Sequence, residues 1–338
     1  MTPFKALIAL VLVLVALGGP AHAWERGNVE TFAVLPAGTQ HPEGITADRH
    51  GNIYVTTFDV TKASGPGDLL VFGPNGRLLR HVKVDSSSNL LLDLAFHPHT
   101  GTLLVLDFGN PRVLAVDPRT GASSVFATIP GGAAAGPNVL TFDAAGNVYV
   151  SDSFQGTIWK TGPAGGAMTA WVSDPLLTTT GVPPFGANGL AFNNAGNALF
   201  VCNTGNDSVL RIAVTGGNAS APTAFAYSVN GCDGLIIDED DNLWIAANQA
   251  DEIVVLNPAG RVIAKLGDFE GIDRHGAPIG LLFPASLVRF GHHIYISNLS
   301  LDLRLFGFPT ADAQWAADVQ RHTISRIPAR IPKVKGLK

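Results

Sequence analysis

Short apolar runs bounded by turn-forming residues recur along the chain. Four of them share one form, in which Gly or Asp and then Asn precede three strand-forming residues, at 51–55, 146–150, 196–200 and 241–245. β-Branched and aromatic residues between turn signals are typical of β-strands. Alignment on these runs gives six units spaced by 45 to 52 residues, a period that fits four short strands per unit. The pattern predicts an all-β fold, a six-bladed β-propeller.

The strands of one blade can be assigned directly from the sequence. In the third unit, residues 139–142 are predicted as the inner strand, 147–151 as the second, 157–161 as the third and 168–172 as the outer strand, with Gly- and Pro-rich turns between them. The other units follow the same order with small shifts. Each inner strand is expected to begin beside the central axis, at a column of six positions: Glu43, Leu92, Asn138, Asn188, Asp233 and Ala285.

The sixth unit supplies only three strands, at 287–290, 293–298 and 323–327. The missing outer strand is available at the other end of the chain, at 29–35, so we expect ring closure by an N-terminal strand. Closure removes the exposed edges that an open sheet would leave. The insertion between 301 and 321 contains a run, 311–319, that is predicted as a short helix, either a cover for the channel mouth or a surface decoration.

The first residues form a separate segment. Residues 1–23 combine a positive start, an apolar stretch and a small-residue cleavage pattern, which is typical of a signal peptide. An uncleaved anchor is the alternative, although the apolar stretch is shorter than the roughly 20 residues that span a bilayer. Residues 24–338 are then a single propeller domain, secreted or periplasmic, with no membrane association after cleavage. The net charge of −5 gives no reason to expect a nucleic acid partner.

The two cysteines, Cys202 and Cys232, lie in adjacent predicted blades. Oxidation is permitted in an exported chain, so the pair is either a disulfide or two buried thiols. No arrangement of His or Asn accompanies either residue, which argues against a catalytic cysteine.

Four members of the inner column carry hard oxygen donors: Glu43, Asn138, Asn188 and Asp233. Residues that begin inner strands converge on the axis of a propeller, and buried carboxylates need a compensating charge. Oxygen donors suit Ca²⁺, with Mg²⁺ or Mn²⁺ as substitutes, and Zn²⁺ only as a weaker one because the column has no Cys or His. The alternative is that these residues merely cap turns.

These residues also carry a family resemblance. The motifs are Pro42-Glu43-Gly44-Ile45, Asn138 and Asn188 at repeat starts, and Cys232-Asp233-Gly234-Leu235 before Asp241-Asn242-Leu243-Trp244. They resemble the senescence marker protein, gluconolactonase and luciferin-regenerating enzyme family of six-bladed propellers. The resemblance implies a calcium-dependent hydrolase, commonly a lactonase. It implies that Glu43, Asn188 and Asp233 are metal ligands and that Asn138 is a ligand or a substrate-orienting amide. It makes Asp233 the base or nucleophile, although a bound cation would lower its proton affinity.

Other positions depart from related propellers or add to the site. Paraoxonases rely on a histidine in the second repeat, where this chain has Leu92 and Asp93. Asp93 is either a second acid in the channel or a strand cap, and His41 either faces the channel or lies in a surface turn. Residues at the ends of the second strands should lie at the same mouth as the column. Among them, Asn203 and Asn298 are predicted to contact substrate.

The leading hypothesis is an exported calcium-dependent hydrolase of a small-molecule lactone or ester, with Asp233 and Asn138 as catalytic residues. One alternative is hydrolysis of phosphotriesters or aryl esters at the same ion. Another is a non-enzymatic binding propeller of the NHL type, in which the ion is structural. A condensation activity like that of strictosidine synthase is a further possibility.

Overall fold

A computed structural model describes residues 25–308 and 311–332. The predicted signal peptide, residues 1–23, lies outside this part of the chain. Six antiparallel sheets stand around a central axis, and each is ordered from an inner strand at the axis to an outer strand at the rim. The predicted all-β six-bladed propeller is confirmed.

The strands of blades 1 to 3 are β2 (Pro42–Ala47), β3 (Ile53–Thr57), β4 (Asp68–Phe72) and β5 (Leu78–Lys83); β6 (Leu91–Phe96), β7 (Leu103–Asp107), β8 (Arg112–Val116) and β9 (Ser123–Thr128); and β10 (Pro137–Phe142), β11 (Val148–Asp152), β12 (Thr157–Thr161) and β14 (Thr169–Ser173). The strands of blades 4 and 5 are β15 (Ala187–Phe192), β16 (Ala198–Asn203), β17 (Ser208–Thr215) and β19 (Thr223–Tyr227); and β20 (Cys232–Ile237), β21 (Leu243–Ala247), β22 (Glu252–Leu256) and β23 (Val262–Leu266).

Shorter elements decorate this frame. They are the two-residue strands β13 (Gly166–Ala167) and β18 (Asn218–Ala219), the hairpin of β24 (Phe269–Ile272) and β25 (Pro278–Gly280), the 3₁₀ turns Gly132–Ala134, Pro175–Leu177, Asn248–Ala250 and Leu303–Phe306, and helix α1 (Ala311–Ala317). Helix α1 is the short helix predicted in the insertion. Within the described residues, no helix is long and apolar enough to cross a membrane.

Blade 6 is built from both ends of the chain. Its inner three strands are β26 (Pro284–Phe290), β27 (His293–Asn298) and β28 (Thr323–Pro328), and its outer strand is β1 (Glu30–Val34). Strand β1 pairs antiparallel with β28, and an ion pair of 2.7 Å joins Glu30 to Arg326. Ring closure by the N-terminal strand is therefore confirmed.

The second strands of blades 1 to 5 are buried along their length, whereas outer strands such as β5 are largely exposed. The middle strands need apolar residues on both faces, because each sheet packs against a neighbour on either side. One such layer joins Tyr54 and Leu69 of blade 1 to Leu94 and Leu103 of blade 2. This packing explains the continuous apolar runs in the sequence.

The Gly-Asn element before these runs forms a turn. In blade 1 the Asp48 carboxylate accepts hydrogen bonds from the backbone and side chain of Asn52 and from the Tyr54 hydroxyl. Asp143 and Asp238 repeat the arrangement in blades 3 and 5. Gly51 has a φ of 79°, a left-handed conformation that favours glycine. The repeated motif therefore fixes the turn between first and second strands and has no direct part in a site.

Every inner strand breaks its register near its start. In blade 1 the pairing shifts between Pro42 and Ile45, and the same irregularity occurs in the other five blades. The column position is the second residue of each inner strand and falls within this break. A bulge of this kind bends a strand and turns a side chain in a new direction. Adjacent breaks pack closely, since a Cβ on Gly189 would lie 2.2 Å from the Asp233 carbonyl oxygen.

A disulfide joins Cys202 of β16 to Cys232 of β20. It links blades 4 and 5 and is adjacent in sequence to Asp233. Of the two alternatives left open by the sequence, the structure has the disulfide.

Candidate metal centre

The inner-strand breaks bring four oxygen-bearing side chains to one small cavity on the axis. Glu43, Asn138, Asn188 and Asp233 all line it, and each is at most 5% exposed. The cavity has a volume of about 40 Å³, which is room for an ion and a few waters. The convergence predicted for the column is therefore present.

The two amides are oriented by hydroxyl groups. The Asn138 side-chain nitrogen donates to Ser153 Oγ at 3.1 Å, and that of Asn188 donates to Thr204 Oγ1 at 2.9 Å. Ser153 and Thr204 in turn donate to carbonyl oxygens of the following blade, those of Ala187 and Cys232. The side-chain oxygens of Asn138 and Asn188 are buried and have no hydrogen-bond partner. The orientation of each amide is thus fixed with its oxygen left free.

The two carboxylates are short of positive charge. Glu43 Oε2 is also buried without a partner, and Asp233 Oδ2 accepts a hydrogen bond from the Asn248 side chain at 2.8 Å. The pKa of Glu43 is raised well above its usual value, mainly by burial and then by the negative charges of Asp233 and Asp93. Burial also raises the pKa of Asp233. Among the described residues, no Lys, Arg or His side chain lines the cavity.

This donor set fits a hard divalent cation. Three unpartnered buried oxygens and two uncompensated carboxylates converge, and two carboxylates balance a charge of +2. Within residues 25–308 and 311–332 there is no group of three His, Cys, Asp or Glu side chains arranged to hold a metal, because two of the four oxygen-bearing column residues are amides. An all-oxygen set of this kind suits Ca²⁺, Mg²⁺ or Mn²⁺ better than Zn²⁺.

Two members of the site, Ser153 and Thr204, were missed from sequence, whereas Asn248 is one of the second-strand ends that were expected at the mouth. Ser153, Thr204 and Asn248 hydrogen-bond to the column residues of their own blades. Each follows its column residue by 15 or 16 positions and stands just after the end of a second strand. A polar residue at that fixed interval is the signal that would have found them.

The predicted substrate contacts, Asn203 and Asn298, are not at the cavity. Both are fully buried. The Asn203 side chain donates to the carbonyl oxygens of Leu176 and Thr178, and that of Asn298 donates to the hydroxyls of Thr323 and Ser325. Their amides are occupied in holding loops and strands, and neither residue lines the cavity.

The structure shows where Asp93 and His41 lie, for each of which the sequence left two alternatives. Asp93 lies in the channel wall beyond Glu43, at the opposite end, where an open depression of about 310 Å³ is lined by all six inner strands. Its Oδ2 accepts from the Leu140 backbone of the next blade, and burial raises its pKa to about 7. His41 is buried rather than in a surface turn, with Nδ1 at 3.1 Å from the Leu299 carbonyl oxygen and its ring 4.7 Å from His322.

The sequence pattern of the family described as "SMP-30/Gluconolactonase/LRE-like region" matches residues 95–267, more than half of the chain. The chain belongs to this family. Among curated proteins, none matches the chain by sequence. The SMP-30/gluconolactonase/LRE-like assignment agrees with the resemblance in the column motifs and with the fold.

Solved structures similar to this SMP-30/gluconolactonase/LRE-like chain share the propeller at low identity. A luciferin-regenerating enzyme is 16% identical with a TM-score of 0.65, over 90% of this chain and 95% of that one. A putative gluconolactonase is 15% identical with a TM-score of 0.63, over 90% and 93%. A calcium-binding protein, regucalcin, from Agrobacterium tumefaciens is 14% identical with a TM-score of 0.60, over 90% and 99%. At these identities the likeness establishes the fold.

Proposed function

We propose that the protein is an exported, calcium-dependent hydrolase that acts on lactones. One observation carries the proposal, namely the buried and unpartnered oxygens of Glu43, Asn138 and Asn188, which line one cavity together with Asp233. Family membership supports hydrolysis, since the family includes gluconolactonases. The calcium-binding relative supports the choice of ion.

Each residue has a distinct part in this proposal. Glu43, Asn188 and Asp233 hold the ion, and Asn138 adds a fourth oxygen or orients the substrate. When bound there, a divalent cation polarises an ester carbonyl and stabilises the negative charge that develops on its oxygen. Asp233 takes up a proton from the attacking water at its carboxylate. Asn248 holds the carboxylate in place.

Export is proposed on two observations. The first 23 residues have the pattern of a signal peptide. The disulfide between Cys202 and Cys232 fits an oxidising compartment, because structural disulfides are rare in the cytosol. Amino-terminal sequencing of the protein recovered from the periplasm or medium tests this part, and an unprocessed chain retained in the cytosol contradicts it.

The test of the activity is direct. The mature protein is purified, its metal content is measured, and lactone hydrolysis is assayed before chelation, after chelation and after return of Ca²⁺. We expect about one equivalent of Ca²⁺, loss of turnover on chelation and recovery on its return. Asp233→Asn should lose both calcium binding and hydrolysis, because it removes one of the two charges without changing size. Asp240→Asn, which alters an exposed carboxylate in the same blade, is the matched control.

Two other outcomes point to the alternatives. Tight calcium binding without hydrolysis of any ester would indicate a binding propeller with a structural ion. Turnover of phosphotriesters or aryl esters in preference to lactones would change the proposed substrate class but would leave the proposed metal site unaffected. Full calcium affinity and activity in Asp233→Asn would refute the site itself.

A further inference from the structure

The wall of the cavity beyond the oxygen donors is apolar. It is formed by six large side chains: Phe58, Phe185, Phe283, Leu299, Leu301 and Leu303. They come from separate loops, after β3, before β15, before β26 and after β27. The chain therefore surrounds a polar floor with a hydrocarbon collar contributed by several blades.

When the unpartnered oxygens of Glu43, Asn138 and Asn188 hold the ion, the other polar groups at the floor are already committed. The Thr204 hydroxyl is held between Asn188 and the Cys232 carbonyl, and the Asn248 amide nitrogen donates to Asp233. In the part of the chain that the structure describes, no Lys, Arg, His, Tyr or Trp lines the cavity. A ligand carrying several hydroxyl groups would bury them here without partners. Each unpaired hydroxyl weakens binding by roughly tenfold.

The apolar surface continues from the collar to the outside. Phe154 packs against Phe185 at a ring distance of 5.5 Å and is 45% exposed. Val182, next to the lining residue Pro183, is 44% exposed, and Leu305 and Phe306, which follow Leu303, are 62% and 48% exposed. An elongated hydrocarbon group with its reacting end at the floor would therefore meet apolar side chains along its length.

We propose that the ligands of this site are lactones or related esters that bear alkyl or aryl substituents, and that polyhydroxylated sugar lactones are poor substrates. The proposal rests on the hydrolytic function proposed above for its catalytic part. Its binding part stands independently, because the collar, the committed floor and the apolar rim do not depend on which reaction follows.

A series of δ-lactones with one reacting ring tests the proposal. With the calcium-loaded protein, kcat/KM is measured for δ-valerolactone, for δ-lactones with side chains of one to five carbons, and for D-glucono-δ-lactone. We expect kcat/KM to rise about fourfold per added methylene until the collar is filled. We expect kcat/KM for D-glucono-δ-lactone to be lower than that for unsubstituted δ-valerolactone. A flat or falling series, or a preference for the gluconolactone, overturns the inference while the hydrolytic function stands.

A binding measurement separates the proposed ligand class from the proposed hydrolytic function. The corresponding δ-lactams resist hydrolysis, and their binding is measured by calorimetry with and without Ca²⁺. If lactam affinity rises with chain length but no lactone is hydrolysed, the hydrolytic function fails and the apolar ligand class stands. If neither lactam binding nor lactone turnover depends on chain length, the inference fails.

Variants of the collar complete the test. Phe185→Ser and Leu303→Ser should flatten the chain-length dependence for both lactones and lactams. Their calcium affinity should stay within twofold of the unaltered protein, which shows that the floor is intact. Phe185→Leu, which keeps an apolar side chain, should restore most of the dependence. An unchanged slope in both Ser variants contradicts a role of the collar in selecting substrate.

Discussion

The hydroxyl of Thr204 should determine how tightly calcium binds, although it is not itself a proposed ligand. It accepts from the Asn188 amide nitrogen at 2.9 Å and donates to the Cys232 carbonyl oxygen at 2.8 Å. Thr204→Val removes this group at nearly constant volume. The Asn188 nitrogen then has the Asp233 carboxylate as its remaining nearby acceptor, and the amide oxygen loses its fixed direction.

Two effects follow from the same substitution. Removal of a residue that orients a metal ligand typically lowers metal affinity by about 10- to 100-fold. Two buried groups, the Asn188 nitrogen and the Cys232 carbonyl, also lose a partner. Each unpaired group costs about 1–3 kcal/mol, and the Asn188 nitrogen keeps the Asp233 carboxylate as an acceptor, so we expect the free energy of unfolding to fall by roughly 1–3 kcal/mol. Calorimetric titration of the chelator-stripped protein with CaCl₂ measures the first effect, and urea unfolding in chelator measures the second.

The control separates orientation from general loss of stability. Thr161 is also buried, and its hydroxyl donates to the Gly165 carbonyl oxygen in a turn of blade 3 away from the axis. Thr161→Val should lower stability and leave calcium affinity within twofold, and Thr204→Ser should recover most of the affinity. If Thr204→Val binds calcium as tightly as the unaltered protein, the orienting role of the hydroxyl is refuted even if the variant is less stable.

Three further results are expected. Replacement of Cys202 and Cys232 by Ala should lower the free energy of unfolding by about 3–4 kcal/mol, since the bond closes a loop with a sequence separation of 30; an unchanged urea midpoint would count against this. Gly189→Ala should destabilise the protein by about 1–3 kcal/mol and weaken calcium binding, because its Cβ would lie 2.2 Å from the Asp233 carbonyl oxygen. Gly162→Ala, with no atom within 4 Å of the added Cβ, should be neutral, and equal unfolding curves for the two variants would exclude the steric explanation. In chelator, Glu43 should destabilise the protein increasingly as pH rises from about 4 to 7, because its raised pKa means that the folded chain retains a proton that the unfolded chain has released. Urea unfolding of Glu43→Gln should therefore show a smaller decline over this window, and equal declines would rule out the explanation.

Much of the architecture is predictable because the repeat fixes position. A residue at one place in one blade has counterparts at the same place in every other blade, so the column from Glu43 to Asp233 could be aligned without any coordinates. The closing strand was predictable because blade 6 otherwise lacks an outer strand and the chain offers one at its start. Both inferences depend only on the spacing of the repeats and on the number of strands in each, and both can be read from the sequence.

The position of Asn203 and Asn298 away from the cavity has a simple geometric cause. Asn203 pairs with Ala187 and Asn298 pairs with Pro284, the first residues of their inner strands, whereas Asn248 lies one position beyond the residue that pairs with Cys232. Side chains on a strand alternate between the two faces. A difference of one position therefore decides whether an amide holds a loop or contacts Asp233. The ends of strands cannot be predicted from the sequence to within one residue.

The joining of β1 to β28 has a consequence for how the ring opens. This seam depends on residues separated by almost the whole chain, and closing so long a loop is entropically unfavourable. Blade 6 is also tied to the neighbouring blade, since the Ser297 hydroxyl donates to the Glu43 carbonyl oxygen. An ion held by Glu43 of blade 1 and Asp233 of blade 5 would bridge the two blades that flank the seam. Its departure would then favour opening of the ring at blade 6, where β1 pairs with β28.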